Sequence, residues 1–209
     1  MDYSALLPYV LPQVPNCSQL LVEQQVRRAA IVLCDESKIL KHEEGPLGVT
    51  SGTAEYSFTP PAQTERVRTE WVTYDDRQLT PTTETSIAID NPQWTTTLGE
   101  PAYFMEANPG YIRLWPTPNS TVANILRLRY SLRPTLDSTS LSDVVMQDYT
   151  QPLVNGALSF LYLMPNQTWT NPDLGMAMNQ SFQISILQAK KQARDGNVKS
   201  IRKVKYGGI

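Results

Sequence analysis

The sequence predicts an α+β protein, in which a helical bundle, made of an N-terminal helix and a C-terminal helical pair, carries an inserted small antiparallel β-sheet domain and an extended C-terminal tail. Three observations carry this prediction. Apolar residues recur at helical spacing in residues 17–41 and again in 143–164 and 172–195. Between these blocks, after Gly45-Pro46, short alternating runs are separated by turn residues, the pattern of antiparallel strands. The last residues, GNVKSIRKVKYGGI, are basic and follow no strict period. The expected divisions are 1–45 and 135–195 for the helical body, 46–134 for the β domain and 196–209 for the tail.

A chain of 209 residues with 41% hydrophobic content can build one core of good size or two small ones. No apolar run approaches the roughly 18 residues that would span a bilayer. The opening MDYSALLPYVLPQVP lacks a basic start and a cleavage site, so the expectation is a chain made in a cytoplasm rather than secreted, with no membrane partner. Cys17 and Cys34 lie on one predicted helix, too far apart to bridge. Without histidines beside them they are too few for a metal site, which leaves buried thiols. The net charge of -2 is unevenly spread: from Lys190 onward seven basic residues face Asp195 alone, giving +6, and the remainder carries -8. An acidic body with a basic tail permits complementarity between copies or with a partner, and also contact with nucleic acid.

The first helical signal covers residues 3–10 and stops at Pro12. Asn16, with Gln19 three residues on, reads as the cap of a helix over 17–41, with Val22, Val26, Ala29, Ala30, Leu33 and Leu40 on its inner face. The mixed charges from Glu23 to Lys38 on its outer face suit lateral association between copies. Residues 47–49 and 55–58 flank Ser51-Gly52 as a hairpin signal. Residues 66–74 alternate with Val67, Thr69, Trp71 and Thr73 on one face, and Asp75-Asp76 turns the chain. Threonine and proline make 80–97 an expected irregular segment carrying Trp94. Strands follow at 102–106, 111–115 and 122–132, the last with Val122, Leu126, Leu128 and Tyr130 alternating with Ile125, Arg127 and Arg129, so that one face is buried and the other solvated. These runs predict one sheet of about six or seven strands, packed most economically on the helices. Pro152 divides the next helical pattern into a short helix to Tyr149 and a second from Gln151, and Pro165 ends it. Asn171 caps the last helix, with Pro172 at its favoured first position and Gly196 at its stop.

Residues able to do chemistry are sparse. His42 in KHEEG is the one histidine, placed at a predicted helix end without a nucleophile motif. The pairs Glu43-Glu44 and Asp75-Asp76 read as solvated turns, and no glycine-rich phosphate loop occurs. The expectation is no enzyme, with no catalytic residue, cofactor or metal. The tryptophans read as core or loop anchors, and Trp169 in MPNQTWTNPD as the anchor that pins the C-terminal helical hairpin closed. Arg127, Arg129 and Arg133 read as solvation and edge protection of a strand. In the tail, Val198, Ile201, Val204 and Tyr206 sit among Lys199, Arg202, Lys203 and Lys205, a mixture suited to ordering on a partner, either as an added strand or along phosphates.

In this order of elements the chain resembles the head-to-tail adaptor (connector, or head completion) proteins of tailed bacteriophages, in particular those of short-tailed phages. The resemblance rests on LLPYVLPQVPNCSQLLVEQQVRRAAIVLCDESKIL, on AEYSFTPPAQTERVRTEWVTYDDRQLTP, on GEPAYF followed by GYIRLWPTP, and on LRYSLRPTLDSTSLSDVVMQDYTQPLVNGALSFLYLMPNQTWTNPDLG, whose MPxxxWxNPxL is the most distinctive piece. It implies a virion protein at the head–tail junction, assembled in the bacterial host cytoplasm as a homo-oligomeric, dodecameric ring beneath the portal protein. Such a ring links the portal to a downstream tail or nozzle protein, and genomic DNA passes its channel without sequence-specific binding. The tail would then dock on the portal through Val198, Lys199, Ile201, Arg202, Lys203, Val204, Lys205 and Tyr206. The alternative is a DNA-contacting or carbohydrate-binding accessory domain, using the basic tail or the sheet that bears Trp71 and Trp115.

Overall fold

In the computed structural model, which describes residues 1–106, 108 and 110–196, the chain forms two units, one of Met1–Ile39 with the chain from Pro134 onward and one of Leu40–Arg133. The first unit opens with a tight 3₁₀ turn over Tyr3–Leu6, α1 (Leu7–Val10), a second such turn over Leu11–Gln13, and α2 (Gln19–Ser37). The second unit follows with β1 (Lys41–Val49), β2 (Glu55–Ser57), β3 (Thr64–Tyr74), β4 (Arg77–Gln78), β5 (Thr80–Pro81) and α3 (Glu84–Asp90). It continues through β6 (Leu98–Gly99), β7 (Tyr103–Met105), β8 (Tyr111–Trp115), β9 (Thr117–Pro118) and β10 (Val122–Pro134). The chain then returns to the first unit with α4 (Asp143–Asp148), α5 (Thr150–Tyr162) and α6 (Pro172–Asp195).

Local chemistry sets most helix ends. The cap of α2 is Ser18, whose hydroxyl accepts from the Leu21 N–H at 3.3 Å; the expected cap, Asn16, instead takes a left-handed conformation with φ 66°. The helix expected to run through residue 41 stops at Ser37, where Lys38 adopts φ 60° and donates its N–H to the Cys34 carbonyl at 3.0 Å. Residues 41–45, read as the end of the helical body, begin β1 and pair with β10, from Lys41 opposite Ser131 to Glu44 opposite Leu128. Lys41 to Glu44 thus take partners on a strand far along the chain in place of a further helical turn.

Pro152 acts as expected. It falls in the first turn of α5, where a missing N–H costs no helical bond, and the break from α4 lies at Tyr149. At α6, Asn171 Oδ1 accepts from the Leu174 N–H at 3.2 Å, Pro172 starts the helix and Gly175, Phe182, Ile186 and Ala189 are buried on one stripe. Helix α5 is buried almost throughout and packs against both α2 and α6, which also touch each other. Gly156 makes this possible: a Cβ there would stand 2.8 Å from the Ala29 Cβ and 3.0 Å from the Phe182 ring. The N-terminal segment is tied back to the same unit by Tyr3 and Ser138, whose hydroxyls are 2.9 Å apart, and by the Met1 ammonium, which meets the Leu141 carbonyl at 2.8 Å and the Asp143 carboxylate.

The β unit differs from the expected single sheet. Its strands form two four-stranded sheets, ordered β1-β10-β3-β4 and β2-β8-β7-β5, and a two-stranded pair β6-β9. The expected hairpin across Ser51-Gly52 is absent as such, because β1 pairs with β10 and β2 with β8. Two of the short pairings, β5 with β7 and β6 with β9, are parallel. Faces of the two large sheets share one core of Val49, Phe58, Val72, Tyr74, Leu79, Phe104, Ile112, Leu114, Leu126, Leu128, Tyr130 and Leu132. The unit therefore has an apolar interior of its own, where packing on the helices was expected. Leu126, Leu128 and Tyr130, one of the two alternating sets of β10, point inward, and on β3 it is Val72 and Tyr74 that are buried, the opposite face from Trp71. The threonine-rich stretch contains a helix: Thr83 caps α3 by accepting from the Ser86 N–H at 3.3 Å, inside the segment expected to be irregular.

Candidate functional site

The residues that carry reactive chemistry in other proteins are each engaged structurally here. His42 lies on β1 rather than at a helix end, opposite Tyr130, with ring centroids 5.5 Å apart. Next to it Glu43 faces Arg129, and Glu44 accepts a hydrogen bond from the Tyr130 hydroxyl at 2.9 Å. Burial pushes the Tyr130 phenol well above its ordinary range, and the Glu44 carboxylate raises it further, so it stays a donor. Asp75 and Asp76 both have positive φ, 50° and 56°, and form the turn between β3 and β4. Cys17 and Cys34 are buried free thiols, and burial, with Asp35 adding to it, pushes Cys34 up to about 12. Among the described residues no group of three or more His, Cys, Asp and Glu could hold a metal ion.

The tryptophans separate into different settings. Trp71 lies half-buried on β3, whereas Trp115 lies on β8 in the other sheet. Trp115 packs on Tyr103 with centroids 5.4 Å apart and donates its indole N–H to the Trp94 carbonyl at 3.2 Å. The Trp94 ring covers the Arg113 guanidinium at 4.5 Å, a cation–π contact that residue spacing could not reveal. An aromatic cluster thus forms around Arg113, which also meets Glu55 at 3.5 Å.

Trp169 is half-buried in the loop between α5 and α6, and its indole N–H is buried without a hydrogen-bond partner. The hydrogen bonds that close this loop come from its neighbour. Thr170 Oγ1 donates to the Met164 carbonyl at 2.5 Å and accepts from the Gln167 N–H at 3.0 Å, and the Asn171 N–H reaches the Tyr162 carbonyl at 3.0 Å. The loop also meets the N-terminal segment, through Thr168 and the Pro15 carbonyl at 3.5 Å. Sequence reasoning singled out the large ring and passed over the threonine, although a hydroxyl two residues before a helical Pro is an available turn signal.

The expected docking residues, Val198 to Lys205 and Tyr206, lie outside the described residues, which end at Gly196 just past α6. The described part of this helix shows a surface that sequence reasoning missed. Residues 174–189 contain no charged residue, yet Met176, Ile184 and Leu187 are 60%, 50% and 65% exposed. Exposed helix faces are ordinarily rich in charge, and a charge-depleted face containing Met and Leu has the composition of an interface centre. At the end of α6 the character changes to Lys190, Lys191 and Arg194. A groove of about 410 Å³ borders this end, between Asp148, Tyr149 and Pro152 on one side and Ser185, Gln188 and Gln192 on the other.

The chain thus has two units, one helical and one mainly β. The chain belongs to the SU10 adaptor protein family, which its residues 1–202 match, a family of bacteriophage head–tail adaptors. A search among curated proteins finds no match. No described helix is long and apolar enough to cross a membrane.

Proposed function

We propose that this chain is a non-enzymatic virion component that assembles into a dodecameric ring below the portal at the head–tail junction. The ring links the portal to a downstream tail or nozzle protein and lines the channel through which genomic DNA passes. The observation that carries this reading is the family match over residues 1–202, which covers both units. The surface chemistry supports it. An acidic body with -8 outside the C-terminal segment suits a channel that must not hold DNA, and the +6 segment from Lys190 suits docking. Within this reading the tail residues 198–206 engage the portal, and Trp169 anchors the loop that sets the direction of α6.

Truncation after Asp195 tests the docking role. The shortened chain keeps its fold and loses binding to the portal of the same virus, read by co-sedimentation; undiminished binding would overturn the role of the tail. Averaged images of purified virions test the ring by its twelvefold density beneath the portal. The second reading, recognition of carbohydrate, has support in the aromatic cluster of Trp94, Tyr103 and Trp115. It requires that Trp115→Ala abolish oligosaccharide binding.

A further inference from the structure

We infer that the ring joint is heterologous, with the uncharged outer face of α6 in one copy lying along the outer face of α2 in the next, both helices running the same way and at the same level. This rests on the ring reading above and adds to it the two surfaces that meet.

The levels follow from Gly156, which touches both Ala29 and Phe182. Each of those residues lies ten positions after the first residue of its helix, Gln19 and Pro172. Both helices also begin at the same end of the unit, where Tyr162 and Thr168 meet Gln13 and Pro15. Helices α2 and α6 are therefore parallel and nearly in register, and because both pack on α5 and on each other, their outer faces look to different sides. Copies related by rotation about an axis along the bundle keep these levels. A contact that uses two different faces of each copy generates a ring when the rotation closes.

At matched levels the two faces are complementary. On α6 Gln180 and Ile184 lie opposite Phe182 and Ile186 by the spacing of helical turns, and Met176 and Leu187 flank them on one side of the exposed face. On α2 the corresponding stripe is Leu20, Gln24 and Ile31, and the chain is uncharged from Tyr3 through Val22. Ile31 and Ile184 stand two residues after Ala29 and Phe182 respectively, while Gln24 stands five before Ala29 and Met176 six before Phe182. The nearby α2 cations are already engaged on their own chain, with Arg28 4.2 Å over the Phe160 ring and Arg27 donating to the Leu136 carbonyl at 2.8 Å. Towards the other end the faces become oppositely charged. At about 1.5 Å per residue, Asp35 and Glu36 lie roughly 9–11 Å along α2 from Ala29, and Lys190 and Lys191 roughly 12–14 Å along α6 from Phe182. Lys38 contacts Asp35 and Arg194 pairs with Asp195, which leaves a net single negative charge at this end of α2 and two positive charges at the end of α6. A foreign partner would explain the uncharged face of α6; a face on the same chain that begins uncharged at Leu20, lies at the matched level and ends with opposed charge fits a second copy.

The test is cross-linking of the full-length chain with a short thiol-reactive linker, using Met176→Cys and Gln24→Cys. The native thiols are buried, and the unsubstituted chain serves as control. An equimolar mixture of the two single variants should give a covalent dimer, each variant alone should give none, and the double variant should give a ladder that ends in a closed species. Met176→Cys linking to itself would mean an α6–α6 joint and would overturn the inference while leaving the ring intact. Oligomers by native mass spectrometry without any Gln24–Met176 link would do the same. Absence of oligomers at every concentration would remove the inference and the ring reading together. As an independent arm, the triple variant K190E/K191E/R194E should lower self-association at least tenfold, and mixing it with D35K/E36K should restore association.

Discussion

The helical and β units solve the problem of a surface in opposite ways. The β unit is studded with charge, and its charges face one another: Lys41 meets Glu70 at 3.1 Å, Arg77 meets Glu100 at 2.7 Å, Arg133 meets Glu65 at 2.8 Å, and Arg66 meets Glu106. The helical unit leaves the long outer face of α6 uncharged and apolar in places. Paired surface charges are individually worth little in stability, yet they keep a sheet soluble and discourage edge association. An uncharged face with exposed Met, Ile and Leu does the reverse, since it gains free energy when covered. Under the ring proposal, solvation falls to the β unit and assembly to the helical one.

Substitutions in the two cores give the largest effects and ask whether the units stand separately. Phe182→Ala, which empties the space between α5 and α6 beside Gly156, should cost about 3–5 kcal/mol, seen as lost amide-exchange protection in α5 and α6. Protection in β10 should be retained; its simultaneous loss would show that the two interiors unfold as one. Leu128→Ala in the shared core of the sheets should cost about 2–5 kcal/mol, with the loss in β3, β8 and β10 instead.

A smaller effect concerns Cys34, which belongs to the helical unit. Its thiol is held up to about 12 against an ordinary 9.0, chiefly by burial. The folded value is the higher one, so this group leaves stability unchanged below pH 9.0 and destabilises the fold as pH rises from there towards 12. Denaturant titrations between those limits should show the wild-type chain losing stability that Cys34→Ala retains. A flat difference between the two would sink the account. The smallest effect is expected on the charged surface: Arg77→Ala should change stability by less than about 1 kcal/mol, because its pair with Glu100 is solvent-exposed. A larger loss would mean that the β unit depends on its ion pairs for more than solvation.

The helical unit was largely legible in the sequence because its signals are local. Asn171 and Pro172 start α6, Pro152 separates α4 from α5, and the stripe of Phe182, Ile186 and Ala189 marks the buried side. The same reasoning failed at residues 38–45, where Lys, His and Glu are acceptable in a helix and nothing nearby announces a strand. The pairing that decides the matter, Lys41 with Ser131, joins residues far apart along the chain. In the β unit, alternation located β8 and β10 but could not say that β2 would join β8 in place of β1, nor which face of β3 would be inward. The face of α6 was within reach, since its lack of charge is written in the sequence, but the denser charge of the tail is the stronger signal and masks it.

What the sequence by itself determined was therefore the class of the fold, the bounds of α5 and α6, the alternation of β10 and the charge asymmetry of the C-terminal segment. These depend on caps, prolines and periodicity, each acting within a few residues. Only the tertiary structure decided the division of the strands into two sheets, the separate apolar interior of the β unit, the meeting of Trp94 with Arg113, and the common level of Ala29 and Phe182 at Gly156. Those outcomes come from packing and strand pairing between distant segments, where many local sequences are compatible with several partners and the shared core selects among them.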